Sequence, residues 1–320
     1  MRTVVFRFLL FLVSRFHGLG PRFVWDPDVL AAMNGHTRRA YVRALKRLEE
    51  WLHGRLLTDG RLAAYLLHLA GRGLSASSAV QVLSAVRNFA EHHGVPSPDG
   101  PRTVAALKRI KLTCADCGQG QVPSATAEDV DAIVRTAGEP RTHANGRRES
   151  PRHAERRGLL ELALIAVLFM GALRVSEAAA LRWRDVTMAG DGQGVHIWVR
   201  RSKANPYGAE SDVRFVKGVL AGALVRLREA VGGDGVGDGR VFGGLTAATL
   251  SRRVAAMAKA AGIAKRLTGH SFRIGLAVEL TRLGASLQEV MHAGGWKTAA
   301  MVAHYSAAAR AEGGAVAKYL

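Results

Sequence analysis

The 320-residue chain contains only two cysteines, Cys114 and Cys117, in a single "CADC". Two cysteines do not make a disulfide framework, so we expect a protein of a reducing compartment. A structural zinc site needs four ligands, and no second cysteine pair or His-x-His pattern lies nearby. A redox pair is expected beside a strand and at a helix start, whereas this pair lies between a basic helix and a Gly/Gln-rich segment. We therefore expect neither metal nor redox chemistry here.

Long hydrophobic runs are also scarce. The longest uncharged apolar run near the N-terminus, Phe8 to Val13, is too short to span a bilayer. Arg7 and Arg15 interrupt the longer stretch, and no A-x-A-like cleavage site follows it. Residues 1–32 are predicted to be an appended helix or a non-native, over-extended start, and a signal peptide is the alternative. The sequence predicts an intracellular protein with no membrane partner.

Acidic residues are few beside basic ones. The chain has 26 Asp and Glu against 45 Lys and Arg, which gives a net charge of +19 and a pI near 11.0. An excess of this size favours a polyanionic partner, most often nucleic acid. A solvated basic surface in an arginine-rich proteome is the alternative. The 48% hydrophobic content is that of a globular protein, and the length allows two domains with cores.

Helical periodicity fills the first half of the chain. Residues 33–113 are predicted to form a bundle of four helices, with Thr37 and Asp59 as caps of the first two. The periodicity disappears over residues 114–125, which indicates an exposed linker. Residues 126–320 form the second predicted domain.

The second domain mixes helices with a few strands. A helix is expected to start at a box formed by Thr126 and Asp129, and "RTHANGRRESPRHAERR" is interpreted as a polar loop. The apolar "GLLELALIAVLFMGAL" indicates a buried central helix. "GVHIWVRRSK" and "SDVRFVKG" predict two strands. The expected fold class is mainly α, a helical bundle followed by an α+β domain with a small antiparallel sheet.

The second domain contains polar residues that a core does not explain. Each has an ordinary interpretation when taken alone: a structural Arg–Glu pair, a solvated lysine on a turn, a core tryptophan, an amphipathic tyrosine. Together they match what metal-free phosphodiester cleavage needs, namely arginine forks for phosphate oxygens, a nucleophile, a base and an acid. No carboxylate cluster able to hold Mg²⁺ is evident. These residues are Arg174, Glu177, Lys203, His270, Arg273, Trp296 and Tyr305.

At these residues the chain resembles the tyrosine recombinases of the integrase superfamily. The order Arg, Lys, His-x-x-Arg, Trp, Tyr is carried by "LRVSE", "SK", "GHSFRIG" and "VMHAGGWKTAAMVAHYS". Trp296 follows Arg273 by 23 residues, and Tyr305 follows Trp296 by nine. Three features resemble the Cre-like subgroup: Trp296, where most members carry histidine, the segment "AGGW" and the tail "EGGAVAKYL". Roughly residues 33–112 resemble the family's core-binding, SAM-like domain. The similarity covers all but the first ~30 residues.

The resemblance implies a role for each residue. Tyr305 would be the nucleophile that forms a 3′-phosphotyrosine and releases a 5′-hydroxyl. Arg174 and Arg273 would hold the scissile phosphate, and His270 would assist proton transfer near the tyrosine. Trp296 would donate its indole N–H to a phosphate oxygen, Lys203 would be the general acid for the 5′ oxygen, and Glu177 would orient the site. Arg200 and Arg201 are neighbours of Lys203 and alternatives for its role.

The resemblance also implies partners. We expect double-stranded DNA with a specific inverted-repeat site, a homotetrameric synapse with half the protomers active at once, no metal or ATP cofactor, and a cytoplasmic, DNA-associated location. The apolar tail, with Val316, Tyr319 and Leu320, would dock on a neighbouring protomer or pack on its own domain. The residues expected to face DNA lie on exposed helix faces: Arg38, Arg39, Arg43, Lys46, Ser77, Gln81, Arg87, Arg252 and Arg253.

Two other functions fit the same fold. A DNA-binding regulator without catalysis would be expected to lack the tyrosine or an arginine, and both are present here. A type IB topoisomerase-like nicking-closing enzyme shares the chemistry but acts as a monomer. The four-helix N-terminal bundle and the apolar tail favour recombination.

Overall fold

The chain forms two compact units, Met1–Gly120 and Gln121–Leu320. None of the described helices has the length and apolar character needed to cross a membrane. Predictions on residues 1–27 and 30–32, on both cysteines and on the segment 201–211 with Lys203 lie outside the described residues. The structure, a computed structural model, describes residues 28–29, 33–113, 122–142, 145–190, 192–200, 212–233, 237–314 and 317.

The described part of the first unit is a four-helix bundle, as predicted. Apolar side chains at helical spacing point into one shared core, in which Leu48, Leu62 and Leu66 are fully buried. The opposite face of the first helix is exposed and basic. The helices are α1 (Gly35–Leu52), α2 (Asp59–Gly71), α3 (Ala76–His92) and α4 (Pro101–Thr113).

Both predicted caps in this unit are wrong by one to three residues. Helix α1 begins after Asn34 rather than Thr37, because the Asn34 side chain accepts a backbone N–H of the first turn. Helix α2 begins after Thr58, whose hydroxyl caps the backbone N–H of Arg61 at 3.3 Å. Asp59 is thereby left as the first helical residue.

Asp59 instead caps a different helix. Its carboxylate accepts the backbone N–H groups of Gly100, Arg102 and Thr103 at 2.8–3.0 Å and the Thr103 hydroxyl at 2.7 Å. These bonds, the Thr103 hydroxyl first, lower the pKa of Asp59 to about 2. Because the ionised form is favoured by folding, its stabilisation is complete above the ordinary Asp pKa and is lost as the pH falls through about 2.

The second unit is built around α6. Helices pack on both sides of it, and a small sheet follows it in sequence. The elements are α5 (Ala127–Thr136), α6 (Pro151–Leu168), α7 (Val175–Ala180), a 3₁₀ turn (Trp183–Asp185), β1 (Val186–Met188), β2 (Gly194–Val199), β3 (Asp212–Lys217), α8 (Gly218–Ala230), α9 (Ala247–Ala260), α10 (Gly269–Arg282), α11 (Leu287–Gly294), α12 (Ala299–Tyr305) and α13 (Ala307–Glu312).

The central helix is the predicted one, but it begins earlier and ends at Leu168, five residues before the end of the apolar stretch, because the chain turns at Ala172. Every residue from Ala163 to Leu168 has no exposed surface, as expected for a helix that is apolar all round. Part of the sequence interpreted as a polar loop is helical, because Ser150 caps the N–H of His153 and Pro151 occupies the first helical position. The predicted box of Thr126 and Asp129 does start α5.

The sheet is antiparallel with strand order β1-β2-β3. Strands β2 and β3 are the two predicted ones, paired with Ile197 opposite Arg214 and Val195 opposite Val216. The three-residue β1 is too short to give a period-2 signal and was not predicted.

Packing of the second unit begins at Ala125, inside the segment interpreted as a linker. Ala125 is fully buried, and its N–H donates to the Ser271 carbonyl at 2.9 Å. Its own carbonyl lies so close to Gly275 that a Cβ there would overlap it. Ala125 therefore anchors the chain to α10.

Candidate active site

The first arginine of the site lies at a strained turn between α6 and α7. Ala172 has a φ of +47°, a left-handed conformation that costs an alanine about 1–2 kcal/mol. Two residues later, Arg174 precedes α7 and is half-buried. Glu177 accepts the Arg174 guanidinium at 2.6 Å and its backbone N–H at 2.8 Å. Glu177 thus fixes the direction of Arg174.

The second arginine lies in α10 and is almost wholly buried. Arg273 is 2% exposed, and its guanidinium donates to the carbonyl of Ala172. That bond ties α10 to the turn that carries Arg174. Burial, and then the positive charge of Arg174, lower the pKa of Arg273 to about 10. The guanidinium is therefore still charged at neutral pH and makes a concentrated positive site with Arg174.

Trp296 covers one face of that buried guanidinium. Helix α11 ends at Gly294, and Gly295 follows in the left-handed conformation with a φ of +60°. This turn directs the indole inward, where it is 4% exposed. The guanidinium carbon of Arg273 lies 4.7 Å from the indole centroid, a cation–π contact.

Tyr305 is the last residue of α12 and lies beside His270 and Trp296. Its ring packs on the small apolar cluster of Val290, Trp296 and Val302. Its hydroxyl lies 3.3 Å from Nε2 of His270, and the two rings meet edge to face with centroids 5.7 Å apart. The tyrosine hydroxyl therefore has a basic nitrogen within hydrogen-bond reach.

His270 is tuned toward its neutral form. Its position one helical turn before Arg273 brings it beside two guanidinium groups. Partial burial of the ring, and then the charges of Arg273 and Arg174, lower the pKa of His270 below its ordinary value. A neutral imidazole at neutral pH is free to accept a proton from Tyr305.

Two donors of this site have no hydrogen-bond partner among the described residues. They are Nε of Arg273 and Nε1 of Trp296, and both atoms are buried. A buried donor without an acceptor costs about 1–3 kcal/mol. Because neither atom reaches solvent, an anion would bond to them only after the indole or the guanidinium shifts. After such a shift, both N–H groups could donate to the oxygens of an anion.

The structure brings together six of the seven residues singled out by sequence, in the groupings just described. Lys203 lies outside the described residues. Its neighbour Arg200 pairs with Asp185 at the 3₁₀ turn, so that guanidinium is already engaged.

The residues expected to face DNA lie in both units. Those on α1, together with Ser77 and Gln81 on α3, are exposed, as is Arg252 on α9. Arg87 is exposed but bonds to Asp99 at 2.7 Å, and Arg253 is half-buried. No described contact tests whether any of them meets DNA.

Sequence reasoning missed Asp212 and Arg214, which lie against Gly295, the residue before Trp296. Both side chains point to one face of β3, because residues two apart in a strand share a face. The signal was the acid and base at alternate positions of "DVRFVK", although the same pattern is common in exposed strands.

The comparisons with known proteins agree with the fold. Among curated proteins, the chain is similar to the recombinase Cre of Escherichia phage P1, with 23% identity over 284 residues that cover 80% of this chain and 78% of Cre. It is also similar to the tyrosine recombinase XerC of Xanthomonas axonopodis pv. citri (strain 306), with 25% identity and 81% of each chain covered.

Among solved structures, a lambda integrase tetramer bound to a Holliday junction has the same fold. The TM-score is 0.57 at 21% identity, over 87% of this chain and 74% of that one. The profile of the N-terminal SAM-like domain of phage integrases matches residues 30–92, and that of the phage integrase family matches residues 147–312, more than half of the chain. The chain therefore belongs to the phage integrase family, the tyrosine-type site-specific recombinases.

Proposed function

We propose that the protein cuts and rejoins duplex DNA at specific sites through a 3′-phosphotyrosine intermediate. The observation that carries the proposal is the contact between the Tyr305 hydroxyl and Nε2 of His270, beside the buried guanidinium of Arg273. A nucleophile, a base and a phosphate-binding charge are thus within one site.

The cleavage step exchanges one phosphoester for another. The Tyr305 oxygen attacks the scissile phosphorus, and its proton passes to His270. The bond from phosphorus to the 5′ oxygen breaks, and that oxygen takes up a proton to leave as a 5′-hydroxyl. Religation is the reverse, with a 5′-hydroxyl attacking the phosphotyrosine. Since phosphodiester energy is conserved in the new bond, the cycle as proposed uses neither ATP nor a metal.

The arginines act on charge that develops at the phosphate. Arg174 and Arg273 bind non-bridging oxygens, and arginine forks match phosphate geometry. Trp296 adds its indole N–H to one oxygen, and Glu177 keeps Arg174 in place. Lys203 supplies the proton to the 5′ oxygen. For Lys203 the support is the resemblance alone, because the residue lies outside the described part of the chain.

Duplex DNA is the proposed partner. The support is the net charge of +19, the exposed basic face of α1 and the exposed Arg252 on α9. Contacts to phosphates supply affinity that depends on salt, and contacts from Ser77, Gln81 and neighbouring side chains to base edges supply the choice of an inverted-repeat site. We accordingly propose a cytoplasmic, DNA-associated location for the protein.

A homotetramer on two DNA sites is the proposed assembly. The lambda integrase structure of the same fold is a tetramer on a Holliday junction. A groove of about 1080 Å³ on the second unit offers apolar surface for the C-terminal tail of a neighbouring protomer, whose Val316, Tyr319 and Leu320 lie outside the described residues. Among the residues lining the groove are Phe169, Met170, Leu276, Leu280 and Met291.

Covalent capture tests this function. Wild type and Tyr305→Phe are incubated in EDTA with sheared DNA of the source organism, quenched with SDS, and the protein-bound DNA is sequenced. The proposal expects DNA retained at a recurrent site by the wild type alone. Tight binding by both proteins with no adduct would favour the non-catalytic regulator. Relaxation of supercoiled DNA by a monomer, with no exchange between two sites, would favour the topoisomerase-like enzyme.

A further inference from the structure

A third arginine is buried close to the site. Arg214 on β3 is 5% exposed, and its guanidinium donates to both carboxylate oxygens of Asp212 on the same strand face. Its Nε is buried without a hydrogen-bond partner among the described residues. The Asp212 side chain is 35% exposed, so the pair is only partly buried, and the desolvation cost of Arg214 offsets the attraction between the charges. The pair is therefore better explained by what it holds in place.

The pair packs directly under the turn that precedes Trp296. A Cβ on Gly295 would overlap both the guanidinium of Arg214 and the carboxylate of Asp212. A Cβ on Gly294 would overlap the indole of Trp296. The two glycines thus let the turn fit between the ion pair on one side and the indole on the other.

The pair also borders the phosphate-binding charge. The positive charge of Arg214 is one of the causes that lower the pKa of Arg273, after burial and Arg174. Strand β3 begins nine residues after Lys203 in sequence, so the same strand leads away from the segment that carries the expected acid. No described contact joins Arg214 to Tyr305.

We propose that Asp212 and Arg214 form a positioning pair that holds the Gly294–Gly295 turn and thereby keeps the Trp296 indole over Arg273. In this proposal Arg214 acts through the turn and not on the reacting atoms, since both of its terminal nitrogens donate to Asp212. This inference deepens the proposed recombinase function and rests on it for its catalytic consequence. Its structural half concerns the free protein and stands independently.

The indole N–H resonance of Trp296 tests the structural half without DNA. The chain has five tryptophans, so ¹⁵N-tryptophan labelling gives few signals, and Trp296→Phe assigns the relevant one. In Arg214→Met we expect this resonance to move, and in the exposed control Arg226→Met we expect it to stay. A folded Arg214→Met protein with an unmoved Trp296 resonance would overturn the proposal. If Arg214→Met fails to fold, Arg214→Lys, which keeps the charge but loses the fork, decides by the same criterion.

Adduct formation tests the catalytic half. With saturating sheared genomic DNA, Arg214→Met should slow single-turnover adduct formation about 10²-fold, as for a small misplacement of a catalytic group, while the half-saturating DNA concentration changes little. In a Trp296→Phe background the two losses should not multiply, because Arg214 acts through Trp296. Multiplying losses would contradict the pair's role. If the resonance moves but the wild type forms no adduct, the recombinase function fails and the positioning pair remains.

Discussion

The hydroxyl of Tyr305 lies 3.3 Å from Nε2 of His270, although 35 residues separate them in sequence. Three helices create this contact: α10 presents His270, α11 turns the chain at Gly295, and α12 ends on Tyr305. The tyrosine approaches the imidazole edge to face, at an interplanar angle of 78°. A proton acceptor is thus aligned with a nucleophile before DNA binds.

The pH dependence of cleavage should report on His270. Partial burial of the ring and two arginines lower the pKa of His270, so the neutral form persists to a pH below the ordinary histidine value of about 6.5. We expect the single-turnover cleavage rate to be flat at neutral pH and to fall only below about pH 6.5. His270→Gln should be slower throughout and should lose this acidic limb.

The lowered pKa of His270 also makes the stability of the folded protein depend on pH. Because folding lowers the pKa, the neutral ring is favoured in the folded state, and the stabilisation is lost as the pH falls through about 6.5 toward the lower folded value. If the cleavage rate of His270→Gln still falls at acidic pH, a group other than His270 is responsible for the pH dependence of cleavage.

Replacing Arg273 by lysine should show how much the fork contributes. Lysine keeps one charge but loses bidentate bonding and the flat stack on Trp296. We expect Arg273→Lys to lower the single-turnover cleavage rate by about 10²–10³-fold, the range found for removal of one preorganised donor. Arg226→Lys, at an exposed position of α8, is the matched control and should cleave normally. A normal cleavage rate for Arg273→Lys would show that Arg273 does not bind the scissile phosphate.

The salt dependence of DNA affinity should locate the basic surface. Arg38, Arg43 and Lys46 are exposed on α1. If each meets a phosphate, the triple alanine variant should lower the slope of log affinity against log salt by about 0.9 per lost contact. Fluorescence anisotropy at several salt concentrations measures this slope. The double variant Lys108→Ala with Arg109→Ala on α4 is the control. If only this control lowers the slope, α4 and not α1 contacts the DNA phosphates.

Glu161 should be a stability residue rather than a functional one. It is 1% exposed and bonds to Arg141 by two contacts of 2.8 Å and to Arg157 by another. Because Glu161→Gln leaves two arginines undercompensated, we expect a loss of about 3–5 kcal/mol in the free energy of unfolding, measured in urea. Asp238→Asn removes the partner of two exposed arginines and should cost about 0–1 kcal/mol. Equal losses would contradict the account of Glu161.

The sequence predicted the four helices of the first unit, the helix after Thr126, the central helix and the two longer strands, because periodicity reports directly on burial. The apolar stretch over residues 158–173 indicated a buried central helix, and the interval between His270 and Arg273 fits one helical turn. Helix starts were less predictable. Asn34 and Thr58 compete with equally suitable neighbours, and Ser150 caps a helix whose first turn is as polar as a loop.

The site was predictable only in part. The spacing of Arg, His-x-x-Arg, Trp and Tyr resembled a family, and the structure places these side chains together. The contribution of β3 was not predictable, because only packing shows that Arg214 turns inward to lie against Gly295. The carbonyl of Ala172 as acceptor for Arg273 was equally hidden, since a backbone oxygen leaves no mark in sequence.

The linkage between protein and DNA tests the central claim most directly. DNA trapped by the wild type in EDTA is digested, and the modified peptide and the free DNA ends are identified by mass spectrometry and by end labelling. The account expects a phosphodiester from the Tyr305 oxygen to a 3′ end, with a free 5′-hydroxyl on the released strand. A 5′ linkage, or an adduct on any residue other than Tyr305, would contradict it.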